Sequence, residues 1–256
     1  PVSVYFKESK DANKLIEEFM LLANRTVAEK IGRVPKGKKA KVLPYRIHDL
    51  PDPEKLDNLA QFIARFGYKL RTSGTKTDIS KSINHLLDDI QGKKEENLIE
   101  TVSIRAMQKA RYSVHNVGHY GLAFDYYTHF TSPIRRYPDL CVHRFIGMLA
   151  DGANAAEIAA AKRFAEQAAE SSNESELRAV GLERAIDDLY KAMYMSGREG
   201  EEFDGVVSSV TSFGMFVSLP NTVEGLVPIS SLDGFFVFDE RALTLSGNRT
   251  VYRLGT

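Results

Sequence analysis

Apolar residues recur at helical spacing through most of the first 195 positions and at alternating spacing after position 200. Leu15, Ile16, Phe19, Leu22, Ala23 and Val27 share one face of a helix expected from about Ala12 to Ile31, capped by Asp11 and stopped by Gly32. Ahead of it, Pro1-Val2-Ser3-Val4-Tyr5-Phe6 alternates like a strand, so the chain is expected to begin inside a fold, as a fragment. Lys36–Lys41 reads as a basic, solvated loop, and Val42–His48 as a short strand ended by the turn Leu50-Pro51-Asp52-Pro53. A helix over about Glu54–Phe66 turns Leu56, Leu59, Ile63 and Phe66 inward and closes at Gly67. After a polar loop, Thr72–Thr77, two further helices are predicted over Asp78–Asp89 and Glu95–Ala110, the second carrying Leu98, Val102, Ile104 and Met107.

Ala153–Ser171 and Glu174–Met195 are two helical stretches rich in strong helix formers. Gly197–Gly200 is a turn, and the period then changes to strands over Phe203–Val210, Met215–Leu219 and Glu224–Pro228. Phe235, Phe236 and Phe238 fall in a connecting loop. The pattern therefore predicts an α+β chain, largely helical over 1–197 and β-rich over 201–256.

Composition narrows the function more by exclusion than by assignment. Lys and Arg number 34 and so do Asp and Glu, so no global basic field draws in nucleic acid; any such binding rests on local clusters. One cysteine, Cys141, excludes an intramolecular disulfide and a multi-cysteine zinc site, fits a reducing cytoplasmic setting, and reads as a small buried hydrophobe in its apolar run. No apolar run is long enough to span a bilayer, and the start has no signal-peptide pattern. His85 has no second ligand at metal spacing and reads as a solvated or hydrogen-bonded histidine. Asp187 and Asp188 diverge on a helix and do not form a metal pair.

The densest chemistry lies in His119–Arg144, HYGLAFDYYTHFTSPIRRYPDLCVHR. Tyr120, Phe124, Tyr126 and Tyr127 precede a turn that presents Arg135 and Arg136 side by side. Ser132 followed by Pro133 reads as a helix N-cap and first position, which puts Arg135 in the opening turn, where free N–H groups favour an anion. Two readings compete: a surface Arg pair bridging to Asp139, or a phosphate site in which guanidinium donors match phosphate oxygens two by two. Neighbouring aromatics favour the second, since stacking plus charge is what a single strand of nucleic acid needs. Glu17 lies on a low-charge flank of the first helix with Leu21, Asn24 and Ala28, and needs a partner there, a structural Arg or a ligand hydroxyl.

TSPIRRYPDL followed by HR, preceded by GHYGLAF, resembles the closing signature of the ribonuclease R / ribonuclease II family of 3′→5′ exoribonucleases, over most of residues 1–195. The resemblance implies a catalytic role for Arg135 at the scissile phosphate, with Arg136 and Arg144 among the RNA contacts. It also implies that Glu17, in IEEFMLLAN, contacts the 3′-terminal nucleotide and that Glu183, in LERAIDDLY, takes part in activity. Asp187-Asp188 departs from the family pattern near Glu183. GVVSSVTSFGMFVSL with EGLVPISSL resembles an S1-type OB-fold, with Phe213 and Phe216 at its stacking positions; Pro228 stands where many relatives carry a histidine. A partial barrel of this kind leaves an unpaired edge. The implied cofactor is Mg2+, held in the family by aspartates upstream of this segment, so no metal ligand is assigned within the chain. The implied partner is single-stranded RNA, with no membrane and a monomeric state. Beside the enzyme stand two alternatives: a non-catalytic RNA-binding protein of the same fold, and a helical scaffold whose Arg pair is an ion-pair network.

Overall fold

A computed structural model describes residues 8–35, 41, 43–93, 95–240, 242–247 and 249–256. The expected opening strand Pro1–Phe6, nearly all of the basic loop Lys36–Lys41, and the side chain of Leu98 lie outside the described residues. Two compact units emerge, and neither is continuous in sequence.

The first unit takes the segment ending at Leu50 together with Gln108–Ile186. Helix α1 (Asp11–Gly32) begins at an N-cap Lys10, so Asp11 sits inside the first turn rather than capping it. Its expected core face packs on the core only near its end, at Val27. Leu15, Ile16, Phe19 and Leu22 are 57–59% exposed, whereas Asn24, Ala28, Ile31 and Gly32 are buried. Periodicity locates an apolar stripe, but burial depends on what packs there, and only the C-terminal half of α1 meets described residues. Gly32 is required by close approach, since a Cβ there would collide with the Tyr45 hydroxyl and the Tyr126 ring. Burial, and then the nearby Tyr126, push the Tyr45 hydroxyl up to about 12.

Strand β1 (Tyr45–Ile47), shorter than expected, pairs antiparallel with β2 (Arg111–Ser113). Leu43, Tyr45, Ile47, Ala28, Ile31 and Val142 form one core. Helix α5 (Tyr137–Ala150) and helix α6 (Ala155–Met195) build a second from Cys141, Phe145, Ala165 and Ala168. Cys141 is fully buried, as expected of a small hydrophobe, and burial raises its thiol pKa. The two helices expected on either side of Ser172 are one, 41 residues long. No proline interrupts Ser171-Ser172-Asn173, serine costs a helix only a few tenths of a kcal/mol, and Asn173 hydrogen-bonds both backbone groups of Tyr112 instead of capping a break.

The second unit takes 51–107 and 187–256 among the described residues. Asp52 caps helix α2 (Pro53–Ala64) through the N–H groups of Glu54 and Lys55, with Pro53 in the first turn. The chain leaves α2 through Gly67, at a left-handed φ of 86°, and Phe66 is 40% exposed rather than inward. Thr75 and Asp78 form a reciprocal capping box for helix α3 (Lys76–Ile90), which consumes the end of the expected loop. Helix α4 (Glu96–Ala106) buries Ile99, Ser103 and Ala106, while Ile104 is 73% exposed, so the inward register is shifted from the expected one. His85 is exposed and bonds Asp89 at 2.9 Å, as a hydrogen-bonded histidine.

Strands β3 (Val206–Thr211), β4 (Gly214–Ser218) and β5 (Glu224–Pro228) form an antiparallel meander, and β6 (Val237–Asp239), β7 (Thr244–Ser246) and β8 (Val251–Arg253) form another. Val207 bonds the backbone of Gly255 and Thr256, tying the two sheets together over a core of Val207, Val210, Met215 and Leu245. Phe236 and Phe238 pack on that core, Phe238 within β6, and only Phe235 projects as a loop residue would, 77% exposed.

Candidate nucleic-acid interface

The segment from Gly118 to Arg136 has almost no regular structure, so its shape depends on bonds to its neighbours. Its first part runs beside β1: His48 N–H donates to Gly118 O at 3.0 Å, Tyr120 N–H to His48 O at 2.9 Å, and Arg46 N–H to Tyr127 O at 3.0 Å. The Thr128 hydroxyl donates to Pro44 O at 2.6 Å. Further on, Asn24 of α1 takes over. Its Oδ1 accepts from the N–H groups of Phe130 (2.9 Å) and Thr131 (3.2 Å), and its Nδ2 donates to the Tyr127 hydroxyl at 3.2 Å.

The aromatic run is not a stacking platform throughout. Tyr120 and Tyr127 are 8% and 5% exposed and belong to the interior. Phe124 and Tyr126 are half-buried and lie under Arg25 and Arg33, with ring centres 5.0 and 5.7 Å from the guanidinium carbons. Adjacency to cations thus reflects packing as well as any surface suited to RNA.

Ser132 and Pro133 do not start a helix. Residues 133–135 form a turn in which the N–H groups of Arg135 and Arg136 donate to Ser132 O at 3.3 and 3.0 Å, and α5 starts only at Tyr137 with extended Arg136 as N-cap. The cause is Pro138. It has no N–H to continue a helix begun five residues earlier, but it fits a first turn.

This geometry separates the two arginines. Arg136 donates from Nε (3.2 Å) and Nη2 (2.9 Å) to Asp139 Oδ2, which also accepts from Ser132 N–H at 2.7 Å. Asp139 is fully buried and the Arg136 side chain is 19% exposed. The ion-pair reading therefore holds for Arg136. Arg135 is exposed, and among the described residues its guanidinium has no ion pair or hydrogen bond. It is not in a helical first turn, but it stands free at the tip of the turn.

His129 lies behind this pair. Tyr112 Oη is 2.8 Å from its Nδ1, and Tyr112 in turn lies under Arg46, whose guanidinium is held by both oxygens of Glu176 at 2.8 and 3.0 Å. Burial, and then the charges of Arg136 and Arg46, depress the His129 pKa to about 3, so the ring is neutral at ordinary pH. Burial raises the Tyr112 hydroxyl to about 12. Sequence reasoning missed Asn24, Tyr112 and His129. The signal for Asn24 was present, an amide between Leu21 and Ala28 on a flank with little charge; Tyr112 and His129 acquire meaning only when β2 meets the segment.

The other expected site residues are dispersed. Glu17 is on the exposed half of α1, and among the described residues no partner holds its carboxylate, contrary to the need expected of it. The reason is exposure: in water it carries no desolvation cost. Glu183 is exposed on α6, and Arg144 lines an apolar groove beside Cys141 and Phe164. Phe213, 55% exposed, meets Phe216 edge to face at 6.3 Å. Among the described residues no three His, Cys, Asp or Glu side chains converge as a metal site.

An RNB domain pattern matches residues 1–152, more than half of the sequence. The chain belongs to the RNB family. An S1 RNA binding domain pattern matches 197–241. Ribonuclease R of Aquifex aeolicus is 43% identical over the whole of this chain and 36% of its own length. A structure of Mycoplasma genitalium RNase R in complex with ribose methylated single-stranded RNA superposes with TM-score 0.85 at 29% identity, covering 100% of this RNB chain and 40% of that one. Yeast Ssd1, a pseudonuclease, superposes with TM-score 0.63 at 25% identity, covering 93% and 29%. The RNB chain thus spans under half the length of these relatives.

Proposed function

We propose that the protein to which this chain belongs is a 3′→5′ exoribonuclease that hydrolyses single-stranded RNA processively to nucleoside 5′-monophosphates, with 1–197 as the C-terminal part of its catalytic domain and 201–256 as part of its RNA-binding domain. The observation that carries the reading is the inequality of the arginines: Arg136 is consumed by Asp139, while Arg135 is exposed and unpaired among the described residues. A free guanidinium on a turn whose backbone is fixed by a buried ion pair is available to hold a phosphate through two oxygens as charge builds on it. Glu17, also unpaired, would read the ribose 2′-hydroxyl, the group that distinguishes RNA from DNA. Phe213 would stack a base, with Phe216 and Arg144 as further contacts and Glu183 as a participant in activity. Magnesium, which activates water in such chemistry, would be held by residues outside those described. The reading takes the protein as a cytoplasmic monomer; no helix among the described residues is long and apolar enough to cross a membrane.

The likeness to a pseudonuclease supports a second reading, an RNA-binding protein that has lost hydrolysis. One experiment separates them. With end-labelled poly(A) and magnesium, the whole protein should release mononucleotides from the 3′ end, while the 256-residue chain alone should bind RNA weakly and release none. Binding without release by the whole protein would favour the second reading.

A further inference from the structure

Helix α1 packs on the segment bearing Arg135 through Gly32, Arg25 and Arg33 against Tyr126 and Phe124, and one buried polar side chain, more than a hundred residues away in sequence from its partners, bonds the segment's backbone directly. Asn24, 2% exposed, makes three hydrogen bonds to Tyr127, Phe130 and Thr131. The two N–H groups it accepts from lie outside any helix or strand, so Asn24 supplies what a ladder would supply elsewhere. His143 reinforces the same place from α5: its ring stacks on Phe130 at 4.2 Å and its Nε2 is 3.0 Å from Phe130 O. Along α1, Glu17 lies seven residues before Asn24, two turns away on the same face and about 10 Å along the axis. Along the segment, Arg135 lies four residues after Thr131, beyond the Ser132–Asp139 bond.

We propose that Asn24 is a positioning residue: it fixes the register between Glu17 and Arg135, and so the span from ribose hydroxyl to phosphate that the site accepts. This rests on the reading of those two residues as RNA contacts. A span whose backbone tie is a buried amide, beyond the packing around it, makes recognition of the ribose and grip on the phosphate a single event. Loosening it lets the phosphate be held without the hydroxyl being read.

The test uses the whole protein and two oligonucleotides, one all-ribose and one with a 2′-deoxy sugar at the reacting end. Asn24→Ala should lower kcat by about tenfold to a hundredfold, the scale set by small misplacements of reacting groups, with KM little changed. It should also shrink the preference for the ribose end. Asn24→Asp, which keeps an oxygen for both N–H groups and lets the Tyr127 hydroxyl donate, should restore most of the rate and the preference. Equal losses on both substrates would make Asn24 merely structural and overturn the proposal, as would an Asp variant as impaired as the Ala variant. If Asn24→Ala does not fold, Asn24→Ser, too short to reach both N–H groups, carries the same comparison. Arg135→Ala and Glu17→Ala are the controls: if neither changes the rate, the reading beneath the proposal fails, whereas if they do and Asn24→Ala does not, only the positioning role falls.

Discussion

The turn Ser132–Arg135 and the first turn of α5, Arg136–Asp139, are contiguous and each carry one arginine, yet they are physically opposite. In the second, a carboxylate with no exposure collects three hydrogen bonds on one oxygen and immobilises its arginine. In the first, the backbone is tied to Ser132 O but the guanidinium is left in solvent. A buried pair contributes little net stability relative to apolar packing, but it fixes geometry and is costly to break on one side only. The contrast teaches that, of two adjacent cations, the one with a buried partner holds the loop and the one without is available to a ligand.

The largest expected effect falls on the closed side. Asp139→Ala strands a half-buried guanidinium and an N–H, and should lower unfolding free energy by about 3–5 kcal/mol in urea titrations; a loss below 1 kcal/mol would dissolve the contrast. The S1 segment offers a smaller version of the open side. Phe213→Ala should weaken single-stranded RNA binding by about 1–3 kcal/mol, the worth of one stacked base, and leave stability alone. Unchanged affinity would make Phe213 an ordinary surface residue. His129 tests the electrostatics behind both arginines. Its native pKa of about 3 is below its unfolded value near 6.5, so the unfolded chain takes up a proton first as pH falls. Stability should therefore decline between about pH 6.5 and 3, and His129→Gln should flatten that part of the curve; an unaltered slope would put the acid sensitivity elsewhere. The smallest effect is on the open arginine itself: Arg135→Ala should change unfolding free energy by no more than about 0.5 kcal/mol, as at other free surface positions.

Much of this was legible in the chain, and the limits have physical causes. Asp52-Pro53 and the Leu56, Leu59, Ile63 stripe specify α2 because cap, proline and periodicity all act within a few residues. The α1 stripe from Leu15 to Leu22 was legible as apolar but not as exposed, since burial belongs to the partner surface and not to the helix. Ser132-Pro133 misled because its local signal is overruled by Pro138. The Arg135–Arg136 motif was plain, and both candidate roles for it were visible. Which arginine took which role was not, because that depends on the burial of Asp139 and on Ser132 N–H folding back to it. Asn24 was placed on the correct flank of α1, but its partners lie more than a hundred residues away.

The central claim, that Arg135 works on the phosphate while Arg136 holds the turn, is tested most directly by a paired Lys substitution in the whole protein. Lysine keeps the charge and loses the two-pronged donor set. Single-turnover rates at saturating RNA should fall on the order of a hundredfold for Arg135→Lys, with affinity and melting temperature little changed. Arg136→Lys should lower the melting temperature and reduce the rate far less. An Arg135→Lys enzyme at the parental rate, or an Arg136→Lys enzyme that keeps its melting temperature and loses more activity, would contradict the assignment.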